Sequence, residues 1–197
     1  MHESREQYQD FHRRRYRLLL ELIERHAPSP LRQCLDVGGA GDMAGTAQWL
    51  REKHGAEVHA VDQGADVDEG RRRGVYAVAC DIDRDPLPYP AQHFDLAIFA
   101  SVIEHLYHPR HVVEEIARVT RPGGVLILEA PNAVALGRRI DLLLGRNPFQ
   151  WFNRYNALEN HAPMTNCSVF YTAEEAEALL ADRFDIIERR FGMHSMM

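Results

Sequence analysis

The chain has 197 residues, 45% of them hydrophobic and 26% charged, with a formal net charge of −6. That length supports one domain with a substantial core, and the acidic balance speaks against nucleic acid as a partner. Three scattered cysteines (Cys34, Cys80, Cys167) form neither a disulfide framework nor a zinc spacing, no stretch approaches the ~18 apolar residues of a membrane span, and MHESREQYQDFHRRRY has no signal-peptide core, all as expected of a cytoplasmic protein.

Residues 4–26 pattern as one amphipathic helix, with Tyr8, Phe11, Tyr16, Leu19, Leu20 and Ile23 on its apolar side. Its arginines alternate with acids, which marks a solvated face. Ala27-Pro28-Ser29-Pro30 ends the helix. Strands are then expected at 33–37, 57–61, 75–80, 94–100, 124–130 and 184–191. Helices are expected at 43–54, 110–120 and 173–182, with shorter ones near 66–72 and 102–107. Such alternation predicts an α/β fold: a doubly wound, mainly parallel sheet covered on both faces, in three α/β/α layers. Arg121-Pro122-Gly123-Gly124 reads as the turn that stops one helix and launches the fifth strand. Between Ala133 and Tyr171 the alternation lapses into a short helix (134–144) and an aromatic, Asn- and Pro-rich insertion of the kind that forms substrate loops. A single lysine, Lys53, among many arginines points to a high-GC, bacterial genome.

The run QCLDVGGAGDMAGTAQWL combines a strand ending in an acid, a glycine-rich turn and a helix start, the nucleotide-cradling corner of doubly wound sheets. Asp42 is placed to cap the following helix, filling with its own charge the anion site that a pyrophosphate needs. A ligand without phosphate is therefore expected. Asp62 ends the second strand where a ribose-binding acid belongs, and Asp81-Ile82 follows the third, an acid for an exocyclic amine beside an apolar side chain for an adenine face. Adenosine carrying a cation fits these residues.

At this point the chain resembles the class I S-adenosylmethionine-dependent methyltransferases. The signals are LDVGGAGD, VHAVD, ACDID, FDLAIFASVIEHL and RPGGVLILEAPN, in the family's order. The resemblance covers about residues 33–132 and implies S-adenosylmethionine as cofactor. It implies that Asp36 anchors the turn near the methionine amine and that Gly38, Gly39 and Gly41 let the cofactor lie on the backbone. Asp62 would hold the ribose hydroxyls, Asp81 the adenine amine and Ile82 the ring, with Ala100 and Ser101 under the methionine moiety. Ala40 stands where the family commonly has glycine, which predicts a slightly different turn.

The acceptor is expected to be a small molecule or biosynthetic precursor, with O-methylation favoured and His105 and His161 as candidate bases. His105, His108 and His111 lack a completing ligand at metal spacing. The ubiquinone-pathway O-methyltransferases, which this region also resembles, hold a divalent ion with E-x-x-E-H; Ser101 replaces the first Glu here, so no metal site is expected. Phe149, Trp151, Phe152 and Tyr155 are candidates for an aromatic lid. After FDIIERRF too little chain remains for a further hairpin, so two outcomes are open: a six-strand sheet with a frayed edge, or an edge covered by a partner chain in a homodimer. Two other readings stay open: a cofactor-binding but catalytically silent regulatory or assembly subunit, and a nicotinamide-dependent oxidoreductase, against which stand Asp42 and the lack of a Tyr-x-x-x-Lys pair.

Overall fold

The computed structural model describes residues 5–39, 45–63, 65–148 and 169–192. Within them, strands β1 (Gln33–Val37), β2 (Glu57–Asp62), β3 (Tyr76–Ala79), β4 (Phe94–Ala100) and β5 (Thr120–Glu129) alternate with helices. The helices are α1 (Arg5–His26), α2 (Thr46–His54), α3 (Ala65–Arg72), α4 (Pro109–Val119), α5 (Leu136–Leu143) and α6 (Ala173–Leu180). Every strand pair is parallel, and the order β3-β2-β1-β4-β5 reverses direction between β1 and β4. In such a sheet the crevice outside the carboxyl ends, at that switch point, is where ligands bind.

Period-two alternation along the strands builds two apolar layers. Cys34, Val58, Ala60 and Ile98 face Leu19 and Ile23 of α1, Leu50 of α2 and Val67 of α3. Leu35, Val37, Val61, Ala97 and Phe99 face Val112, Ile116 and Val119 of α4, with Ala176 and Leu179 of α6 packed alongside. Ile23, Leu50, Val112 and Ile116 are fully buried, each contributing about 1.5–3 kcal/mol of transfer free energy. The side chains of Tyr8 and Phe11 lie outside those described.

Local signals explain the element ends. Pro109 occupies the first turn of α4, where its missing N–H is no loss. Gly55 closes α2 in the left-handed conformation, and Thr172 with Glu175 forms a reciprocal capping box on α6. Arg121-Pro122-Gly123-Gly124 departs from expectation, because β5 already begins at Thr120. Phe94 pairs with Thr120 but Leu96 with Val125, so the turn residues bulge within the strand. Phe94 and Leu96, on the two sides of this register shift, pack in opposite layers. Buried Asp95 holds this corner: its carboxylate accepts the N–H groups of Arg32 and Gln33 at 2.8 Å each and pairs with Arg121 at 2.6 Å.

The strand expected at 184–191 does not form; those residues belong to no ladder among the described residues. Their charges are engaged elsewhere. Glu188 accepts from His26 at 2.5 Å and Arg25 at 2.7 Å on α1, and Arg189 donates through Nε to Glu177 on α6 at 2.5 Å. Ile186, Ile187 and Phe191 are left exposed. The helix expected over 102–107 shrinks to a single 3-10 turn, Ile103–His105.

Candidate cofactor site

Three strand ends meet at the switch point. Gly38, just past β1, adopts φ +76° and donates its N–H to the Val61 carbonyl at 2.7 Å. A Cβ on Gly38 would sit 2.5 Å from Cγ2 of Val102, which follows β4, so the Val102 side chain packs directly against the bare glycine backbone. At Gly39 the constraint is different. A Cβ there would lie 2.2 Å from the Asp36 carboxyl group, so that carboxylate is tucked directly against the glycine backbone. The turn is thus a cradle of bare backbone with a carboxylate beneath it, a fit for a ligand with a cationic amine. Gly41, like Ala40 and Asp42, lies outside the described residues.

On the β2–β3 side, Asp62 and Asp81 stand at adjacent strand ends, the Cys80 N–H donating to the Asp62 carbonyl at 3.0 Å. Gln63 joins them: its N–H donates to Asp62 Oδ1 at 2.7 Å and its side-chain amide to Asp81 Oδ1 at 3.2 Å. Asp81 also accepts the Asp83 N–H at 3.3 Å, and Ile82 is buried in the α4-side layer. Two carboxylates with a bridging amide form a row of acceptors, suited to vicinal hydroxyls and an amine.

On the β4 side, Ala100 ends the strand and Ser101 takes φ +53°, an uncommon value for a residue with a side chain, while its N–H donates to the Glu129 carbonyl at 2.9 Å. The turn that follows buries Ile103 and Glu104 and leaves His105 exposed. The Glu104 carbonyl accepts the Val169 N–H at 3.2 Å, and Tyr171 makes a parallel bridge with Asn132. Burial, with the charges of Glu104 and Glu175, raises the Tyr171 phenol above its ordinary range, so it stays protonated. A cleft of about 280 Å³ opens here between α4 and α6, lined by Arg110, Phe170, Tyr171, Glu175 and Leu179 among others.

The structure therefore brings together Asp36, Gly38, Gly39, Asp62, Asp81, Ala100 and Ser101 around the carboxyl ends of β1, β2, β3 and β4. His161 and the aromatic residues Phe149, Trp151, Phe152 and Tyr155 lie outside the described residues. His108 belongs to a different arrangement: Asp83 accepts the N–H groups of Tyr107 and His108 at 3.0 and 2.7 Å, fastening the start of α4. No cluster of metal-ligating side chains occurs among the described residues. Neither described cysteine is poised as a nucleophile; burial first, then Asp95 and Asp36, pushes Cys34 up to about 12, and burial with Asp85 and Asp81 raises Cys80. Gln63, Val102 and Asp83 are contributors that the motifs alone do not flag. The one available hint is the second acid of ACDID, spare once Asp81 is assigned.

Residues 35–128 match the family model described as a methyltransferase domain. The chain is 31% identical over 107 residues to the ubiquinone/menaquinone biosynthesis C-methyltransferase UbiE of Cupriavidus necator, covering 51% of this chain and 44% of that one. It is 30% identical over 121 residues to the ubiquinone biosynthesis O-methyltransferase of Hahella chejuensis, covering 58% and 50%. The chain thus spans half or less of the length of these curated relatives. Among solved structures, a possible histamine N-methyltransferase from Thermotoga maritima superposes with a TM-score of 0.61 at 20% identity, over 90% of this chain and 74% of that one, a likeness of fold. No helix among the described residues is long and apolar enough to cross a membrane. The motif order, the sheet reversal and the glycine-carboxylate cradle agree with that match: over residues 35–128 the chain carries a methyltransferase domain, similar to S-adenosylmethionine-dependent methyltransferases.

Proposed function

We propose that this protein binds S-adenosylmethionine across the β1–β4 crevice and methylates an oxygen of a small-molecule acceptor. The observation that carries the reading is the Asp36 carboxylate held against Gly39, with the Asp62–Gln63–Asp81 acceptor row beside it. The cofactor supplies a methyl group already made electrophilic by its sulfonium. What remains for the protein is orientation. Asp36 anchors the amine of the methionine portion and Gly38 and Gly39 admit it to the backbone, joined by Gly41. Asp62 accepts from the ribose hydroxyls, Asp81 from the adenine amine, and Ile82 supports the ring. Ala100 and Ser101 floor the reacting end.

A hydroxyl acceptor must lose its proton as it attacks. His105, exposed on the turn after β4, and His161 in the insertion are the proposed proton acceptors. Two relatives named for quinone biosynthesis, one a C- and one an O-methyltransferase, support a small biosynthetic precursor as the acceptor class. The acidic charge of the chain supports a reading without nucleic acid, in the cytoplasm of a bacterium, with the whole chain acting as one domain. The outer edge of β5 and the exposed Ile186, Ile187 and Phe191 suit a homodimer contact.

Transfer of tritiated methyl from S-adenosylmethionine to a panel of phenols, catechols, amines and carbon acids tests the proposal. Labelled phenolic ether is expected, with His105→Ala lowering kcat and the deficit closing at high pH, where the acceptor hydroxyl ionises without help. Cofactor binding without transfer to any acceptor would instead favour the silent regulatory subunit.

A further inference from the structure

Helices in this fold bury one face, and α5 does not. Against α4, which buries Val112, Val113, Ile116 and Val119, α5 has no buried residue. Its apolar side chains nonetheless recur at helical spacing. Leu136, Ile140, Leu143 and Leu144 fall at i, i+4, i+7 and i+8, hence on one stripe, and are 69%, 38%, 86% and 60% exposed. Val134 and Leu142 are exposed as well. A solvated helix has no reason to align apolar residues outward, and contiguous exposed apolar surface marks an interaction site.

The flanks of the stripe are basic. At 100° per residue Arg139 falls along one border of it, fixed there by donating its Nε–H to the Val134 carbonyl at 2.8 Å, and Arg146 follows the helix end just past Gly145, 3.9 Å from Asp141. Arg138 lies on the opposite side. It donates to the Asn132 carbonyl at 2.7 Å and stacks over the Phe170 ring at 5.4 Å, clamping the helix to the body with its stripe outward. Residues 134–146 hold three arginines and one aspartate in a chain of net charge −6. A short helix with leucines outward and arginines alongside is the pattern of a segment lying in a lipid–water interface, its apolar residues among the acyl chains and its guanidinium groups on anionic headgroups. A second copy meeting this stripe about a two-fold axis would set like charges against each other, which disfavours self-association there.

We propose that α5 docks the protein on an anionic bilayer surface. Because β5 leads into α5 through the Asn132–Tyr171 bridge, docking sets the carboxyl edge of the sheet beside the membrane. The inference rests on exposure and charge and stands apart from the acceptor proposed above.

Flotation of the full chain with phosphatidylglycerol–phosphatidylcholine vesicles, and with phosphatidylcholine alone, tests it. Association with the anionic vesicles is expected, weakened by molar salt. The Leu143→Glu/Leu144→Glu variant should lower the partition by about tenfold or more, and Arg139→Glu/Arg146→Glu should remove the preference for anionic lipid. Both variants change exposed positions, and an unchanged melting temperature confirms that they fold. No association with anionic vesicles, or association indifferent to both variants, overturns the proposal. So does a wild-type dimer that the leucine variant dissociates without any vesicle binding.

Discussion

Replacing Gly39 with alanine tests the cradle with a single methyl group. The added Cβ would stand 2.2 Å from the Asp36 carboxylate, whereas ordinary contact begins near 3.4 Å. The carboxylate must therefore retreat by about 1 Å or more, enough to break a hydrogen bond made at ordinary distance. No backbone strain is added, because Gly39 is absent from the positive-φ glycines. A charge-assisted hydrogen bond is worth about 1.5–3 kcal/mol, so Asp36 losing its grip on the cofactor amine should weaken binding roughly 10- to 150-fold. Calorimetric titration with S-adenosylhomocysteine, which keeps that amine, reads the loss. Gly123→Ala is the control: its φ is +78° and its Cβ would meet nothing within 4 Å. It should cost about 1–2 kcal/mol of stability, visible as a lower melting temperature, and leave the affinity alone. Wild-type affinity in Gly39→Ala would refute the placement of the amine at Asp36.

Two further outcomes concern stability away from the site. Asp95→Ala strips the acceptor from two N–H groups and the partner from Arg121; a loss of about 3–5 kcal/mol should lower the melting temperature by roughly 10 °C with cofactor affinity retained in the folded fraction. His59 is held below the ordinary histidine value of 6.5 by burial and then by His93, so the unfolded chain takes up its proton first as pH falls. Its contribution is complete above about pH 6.5 and declines below it; melting curves between about pH 7 and 5 should flatten in His59→Phe, which keeps a ring against Tyr76, Tyr89 and Phe94. An identical pH slope in that variant would exclude His59 as the source.

The central sheet is legible in the sequence because its strands are local objects. FDLAIFA and QCLDV are apolar runs bounded by turn residues, and period and punctuation suffice to place them. The same holds for the positions of the candidate site residues tied to strands: Asp36, Asp62 and Ala100 fall at the carboxyl ends of β1, β2 and β4 once the strands are set. What escapes local reading depends on partners distant in sequence. The register slip at Arg121-Pro122-Gly123-Gly124 is settled by Asp95 and Arg121 meeting across strands. FDIIERRF has strand-forming composition, yet Glu188 is claimed by α1. Gln63 gains its place only when β2 and β3 lie side by side. The outward stripe of α5 has the periodicity of a core helix, and only the fold reveals that no core covers it.

The central claim is that the row of carboxylates at the sheet's carboxyl edge holds S-adenosylmethionine. Calorimetric titration of S-adenosylhomocysteine into the wild type and into Asp62→Ala addresses it most directly. The account predicts micromolar binding by the wild type, weakened at least about tenfold when Asp62 no longer accepts from the ribose hydroxyls. No binding by the wild type, or equal binding by both proteins, would contradict it.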